Sequence, residues 1–299
     1  MLRGWSLYRL SRLLFSHCRP FYSDLQLALK PSWFIVLKSS VCLFISDLKS
    51  QALPFCTMAS TEEATPALPD YVTDENAVTK DKAKWRYGRA PDYSKTRKIW
   101  AESKKSNHTA GSLPDLIEKL VKNWEVEASF KVDLADWRTV DRETYCFSVN
   151  GGPPQTGQHM LEVGTYNALI QSNEFYCPAH STFEDSHKTF KRMMPTFAWE
   201  VLEVYSGPPV AAFRWRHWGT FKENYKGVNG KGEKVTMKAH GGTIDIEGIA
   251  VATLNDKLQI KKVDIWFDPM AMFHQMKEVL GDESVKEIVH PAAQGEASA

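Results

Sequence analysis

Pro195-Thr196-Phe197-Ala198-Trp199-Glu200-Val201-Leu202-Glu203-Val204-Tyr205-Ser206-Gly207-Pro208-Pro209-Val210-Ala211-Ala212-Phe213-Arg214-Trp215-Arg216-His217-Trp218 is the stretch in which the hydrophobic pattern of this chain changes period. Before Pro195 apolar residues recur at helical spacing; after it they alternate in twos. Two strand-like runs, 197–205 and 210–218, are separated only by Ser206-Gly207-Pro208-Pro209, residues that turn the chain. They read as an antiparallel hairpin. In the second run Phe213, Trp215 and His217 share one face, while Arg214 and Arg216 share the other with Val210 and Ala212. The aromatic face belongs inside, and it carries His217 inward with it.

Working back from the hairpin, three helices are predicted. The first runs from Ser112 as N-cap, with Asp115 three residues on, to about residue 130; Leu113, Leu116, Ile117, Leu120, Val121 and Trp124 make its apolar stripe. A second covers 159–171 with Met160, Val163, Asn167 and Ile170 at helical spacing. A third starts at Ser181, capped with Glu184 reaching back, carries Phe183, Phe190 and Met194, and stops at Pro195. Between the first two, 139–149 has a strand pattern ending at Asn150-Gly151-Gly152-Pro153-Pro154. Working forward, strands are predicted over 243–254 and 258–267 around Asn255-Asp256, then a helix over 270–280 ended by Gly281. Helices ahead of a strongly bent antiparallel sheet make an α+β order, with helices on one face.

The last strand offers two faces to such a sheet. Val263, Ile265 and Phe267 form one, and Asp264, Trp266 and Asp268 the other. The face with the two acids and Trp266 is the one expected near the mouth of a cavity. That makes Phe213, Trp215, Trp266, Asp264 and Tyr225 the candidate ligand-binding residues.

Composition limits the partners. Of 299 residues 43% are hydrophobic, ample for a core, and 37 basic against 36 acidic side chains leave +1, so no whole-chain field favours nucleic acid or an acidic membrane surface. Five cysteines, none in a C-x-x-C pair, read as reduced thiols in a cytoplasmic setting, with a Cys146–Cys177 disulfide as the alternative. Residues 1–57 differ from the rest. Arg3, Arg9, Arg12 and Arg19 precede the first acid, Asp24, and Met58-Ala59-Ser60-Thr61-Glu62-Glu63 reads as an ordinary N-terminus. The segment is therefore upstream sequence, an organelle-import segment or, through the apolar stretch 33–45, a membrane anchor. Residues 58–84 are expected as a disordered lead, 85–282 as one domain and 283–299 as a flexible tail.

Other constellations have plain readings. His180, Glu184 and His187 lie on one helical face, but three ligands along one helix splay apart and Glu184 is assigned to a cap, so no metal is expected. Lys80, Lys82, Lys84, Arg86 and Arg89 interleave with Trp85 and Tyr87, a pattern shared by single-strand binders and by a solvated arm whose aromatics pack on the domain; the arm is expected and no nucleic acid. Gly227, Gly230 and Gly232 read as a loop between strands with no following helix to hold phosphate.

An ordered series of motifs carries a resemblance. It runs Trp85-Arg86-Tyr87-Gly88, Asn123-Trp124-Glu125, Phe147-Ser148-Val149-Asn150-Gly151-Gly152-Pro153, Tyr166-Asn167-Ala168-Leu169, Phe197-Ala198-Trp199-Glu200-Val201-Leu202, Arg216-His217-Trp218-Gly219, Tyr225-Lys226-Gly227 and Phe267-Asp268-Pro269. In these residues the chain resembles the plant pathogen-related proteins, whose domain is similar to the SnoaL-like polyketide cyclases of the nuclear-transport-factor-2-like superfamily. The resemblance implies a SnoaL-like cone: a curved, mostly antiparallel sheet wrapped around N-terminal helices, enclosing an apolar cavity. It implies two functions, a defence-associated binder of a small apolar ligand without catalysis, or a cofactor-independent cyclase or isomerase with Asp268 and His217 as acid/base pair. Neither requires a cofactor. It also implies a homodimer through the open sheet face.

Overall fold

The structure, a computed structural model, describes residues 67–277. The segments 1–57 and 283–299, including the apolar stretch 33–45, lie outside the described residues, as does the expected C-cap Gly281. Among the described residues no helix is long and apolar enough to cross a membrane.

The elements follow in order α1 (Asp70–Thr73), α2 (Ser94–Ser103), α3 (Leu113–Phe130), β1 (Cys146–Val149), β2 (Gln155–Thr156), α4 (Gly157–Val163), α5 (Thr165–Leu169), α6 (Phe183–Met193), β3 (Ala198–Ser206), β4 (Val210–Thr220), β5 (Tyr225–Val228), β6 (Lys234–Met237), β7 (Thr243–Leu254), β8 (Ile260–Phe267) and α7 (Pro269–Lys277). Six strands form one curved, unclosed sheet in the order β2-β1-β8-β7-β4-β3, and β5–β6 is a separate hairpin. Within the larger sheet β1 runs parallel to β8 and every other pairing is antiparallel. This is the expected α+β cone.

Register explains which side chains meet. Phe213 on β4 stands opposite Ala250 on β7, and Ala250 opposite Ile265 on β8, so one row crosses the concave face. One residue over, Arg214, Ile249 and Trp266 make the matching row on the convex face. At the far edge, backbone groups of β3 are met by side chains: Val201 N donates to Glu118 Oε2 at 2.9 Å, and His108 Nε2 lies 2.8 Å from the Val201 carbonyl.

Local chemistry moved several boundaries. The predicted helix 159–171 is broken at Gly164, whose φ of 94° only glycine adopts at ease and where an added Cβ would stand 3.1 Å from the Phe183 ring. The α6 cap is Thr182, accepting from Asp185 N, one residue after the expected Ser181. At α3 Ser112 stands at the N-cap without a side-chain bond; Asp115 Oδ2 reaches back to Gly111 N at 2.8 Å instead. The strand predicted over 139–149 is β1 alone, preceded by a turn in which Tyr145 N donates to Asp141 O and by a single bridge from Val140 to Ile260.

The lead is the larger correction. Residues 67–84 are ordered: Tyr71, Val72, Ala77 and Val78 are buried against α3 and its surroundings. The anchor is Asn123 on α3, itself fully buried. Its Nδ2 donates to the carbonyls of Tyr71 (3.0 Å) and Asp74 (2.8 Å), and its Oδ1 accepts from Val78 N (3.2 Å). The polar composition hid four apolar residues and a buried amide able to satisfy the backbone they bring in.

Candidate functional site: an apolar cavity with an ion pair at one end

A cavity of about 180 Å³ lies between α3, α5 and the concave face of the sheet. Period two on β4 delivers Ala211, Phe213, Trp215 and His217 to it; β7 delivers Ile246, Ala250 and Ala252; β8 delivers Val263, Ile265 and Phe267. From α3, Ile117, Leu120, Val121, Trp124 and Glu125 face them. The alanines keep the space open. Gly248 makes room for the indole of Trp215, which lies over its Cα where any Cβ would collide.

The polar lining collects toward His217. His217 lies six residue steps along β4 from Ala211, so the two ends are about 20 Å apart at the usual strand rise. Glu125 Oε1 accepts from the Tyr93 hydroxyl at 2.9 Å and stands 3.6 Å from Lys191 Nζ, with Glu125 and Lys191 each about a quarter exposed (23% and 28%). Burial works to raise the pKa of Glu125, but Lys191, His217, Arg97 and the Tyr93 bond outweigh it and hold the carboxyl below its ordinary range. His217 stacks on Phe197 with centroids 3.5 Å apart. Burial drives its pKa down to about 4, with Lys191 acting the same way and Glu125 and the Phe197 backbone opposing. Two hydroxyls, Ser129 and Thr165, satisfy each other at 3.1 Å, and Trp124 Nε1 donates to Tyr145.

Of the residues named from sequence, Phe213, Trp215 and His217 meet in the cavity. Trp266 and Asp264 do not. Their strand turns its fully apolar face inward, leaving Trp266 43% exposed on the convex side and Asp264 bonded to the Ser148 hydroxyl and to Lys262. Tyr225 is fully buried outside the cavity, donating to the Phe175 carbonyl at 2.9 Å and packing on Phe190 and Phe273. Asp268 is exposed at the start of α7, where Oδ1 accepts from Met270 N at 2.8 Å; it lines no part of the cavity, so it does not face His217 across it. Glu125 and Lys191 were missed, although an acid continuing the Val121 side of an apolar stripe was a visible signal.

The remaining constellations resolve as packing. Among the described residues no group of three His, Cys, Asp or Glu side chains could hold a metal; Glu184 pairs with Arg86, and His187 is packed against Tyr87 and Phe130. The basic arm is bound to the domain, Arg86 over the Phe183 ring and Tyr87 hydroxyl 2.7 Å from His187 Nδ1. Cys146 and Cys177 are free thiols.

No family model matches the chain. Among solved structures it is similar to a candidate SnoaL-like polyketide cyclase from Jannaschia sp. CCS1 (12% identity, 57% of this chain and 98% of that one, TM-score 0.29). Another is IdmH, a candidate polyketide cyclase from Streptomyces antibioticus (12%, 53% and 96%, TM-score 0.34). A pathogen-related protein of Hordeum vulgare is 30% identical over 195 residues, which cover 62% of this chain and 79% of the barley protein. With so much of that relative spanned at that identity, this chain belongs to the pathogen-related protein family.

Proposed function

We propose that this protein is a defence-associated binder that holds a small, largely apolar molecule in the cavity between α3 and the β4–β7–β8 face and does no chemistry on it. The observation that carries this reading is geometric: His217 lines the cavity without Asp268, and the carboxylate that does line it, Glu125, is held by Tyr93 and Lys191. The shifts of the two ionisable groups agree with this. A general acid or base works best with a pKa near the working pH, whereas His217 is driven down to about 4 and Glu125 below the usual carboxylate range. Both are parked in one protonation state at neutrality. The cyclase alternative asks Asp268 and His217 to face one substrate, and Asp268 caps α7 outside the cavity. The name of the barley relative supports the association with pathogens.

The test is native mass spectrometry of the full-length protein after incubation in plant extract, beside Ala252→Leu, which fills the space between Ala211 and Val263. The expected result is a defined small-molecule adduct that Ala252→Leu loses while keeping its cooperative thermal transition. An adduct that the filled variant keeps, or a bound molecule released chemically altered, would overturn the reading.

A further inference from the structure

The polar end of the cavity is chemically unfinished in a particular way. Glu125 Oε1 is engaged by Tyr93 and Lys191, while no described residue donates a hydrogen bond to Oε2. Lys191 Nζ stands 3.6 Å from Oε1, beyond hydrogen-bond length, and no described group accepts a hydrogen bond from it. An ion pair beside the Tyr93 ring and His217, which is itself stacked on Phe197, thus presents an unused acceptor beside unused donors. In an apolar surround such groups favour whatever completes them.

The group that completes both is one that donates and accepts at once. A hydroxyl does so, donating a hydrogen bond to Oε2 and accepting one from Nζ. An ether or ketone leaves the carboxylate without a donor. A carboxylate sets a second anion beside Glu125, which the single Lys191 charge must then share. We propose that Glu125 and Lys191 form a hydroxyl-recognition site, and that the ligand is an alcohol or phenol with an apolar body lying along β4 toward Ala211. This rests on the binding reading above and names the chemical class of its ligand.

Isothermal titration of the full-length protein with 2-naphthol, 2-methoxynaphthalene and 2-naphthoate tests it. One hydrogen bond to a charged group separates the first probe from the second, so 2-naphthol is expected to bind at least roughly 10-fold more tightly than the ether. It should also exceed the naphthoate, and in Glu125→Gln its advantage over the ether should shrink to within about 3-fold. Equal affinities for naphthol and ether, tighter naphthoate, or an advantage that survives Glu125→Gln would each overturn the hydroxyl site while leaving the cavity a binding site. Failure of all three probes to bind would sink the binding reading together with it. Should Glu125→Gln not fold, the ranking on the unaltered protein decides alone.

Discussion

His187 sits among Tyr87, Phe130, Tyr166 and Phe183, with Nδ1 near the Tyr87 hydroxyl and Nε2 buried without a partner. Burial, with help from Lys191 and Arg86 and against Glu125, drives its pKa down to about 4, as burial does for His217. Between pH 6.5 and 4 the unfolded chain binds protons at these positions that the folded chain refuses. Stability is therefore full above about 6.5 and is lost as pH falls through that window, by up to ~3 kcal/mol for each histidine. Glu125, held below its ordinary range, adds to the loss at still lower pH. Urea denaturation at pH steps from 7 to 4.5 should show the midpoint falling, and less steeply in His187→Gln; a flat midpoint would contradict the burial argument. At this scale the sequence exposed His217 through strand alternation. It did not expose Glu125, because one acid in an apolar stripe reads equally well as a stripe edge until Lys191, from another helix, is placed beside it.

Among elements, β8 shows where periodicity stops informing. Alternation sorted its residues into two faces correctly; choosing the inner one by its acids and Trp266 went wrong, since an enclosed face is set by the apolar row Phe213–Ala250–Ile265 that register assembles. The hairpin of β3 and β4, α3 and β7 were legible because their apolar patterns are long, even though the β3–β4 register shifts between Val201 and Glu203 and again between Val204 and Ser206. The helix over 159–171 was not, because Gly164 stands at the break without disturbing the apolar spacing. Gly248 is the counterpart inside a strand. A Cβ there would strike the Trp215 indole and come within 2.6 Å of the Trp266 carbonyl. Gly248→Ala is expected to cost about 1–3 kcal/mol in urea denaturation through forced repacking, and to weaken whatever probe the cavity binds. An unchanged midpoint would mean that the indole moves aside freely.

For the whole molecule, the segment before α2 matters more than its composition announced. Asn123 supplies hydrogen bonds to three of its backbone groups, so Asn123→Ala leaves Val78 N and the Tyr71 carbonyl without these partners, while the Asp74 carbonyl keeps Ala77 N. The expected cost is at least ~2 kcal/mol, with early proteolytic cleavage within residues 67–84 while the sheet stays intact. Simultaneous digestion of lead and sheet would show instead that the two unfold as one unit. The outermost strand of the cone raises a different matter. A sheet that does not close leaves a ladder end that can pair with another chain. On β3 both outward-pointing backbone groups of Val201 are occupied, the N–H by the Glu118 carboxylate and the C=O by the His108 ring. Since these are side chains, they satisfy the ladder without extending it: at Val201 no seventh strand can be templated, and the sheet ends there as a finished boundary, not as a surface awaiting company.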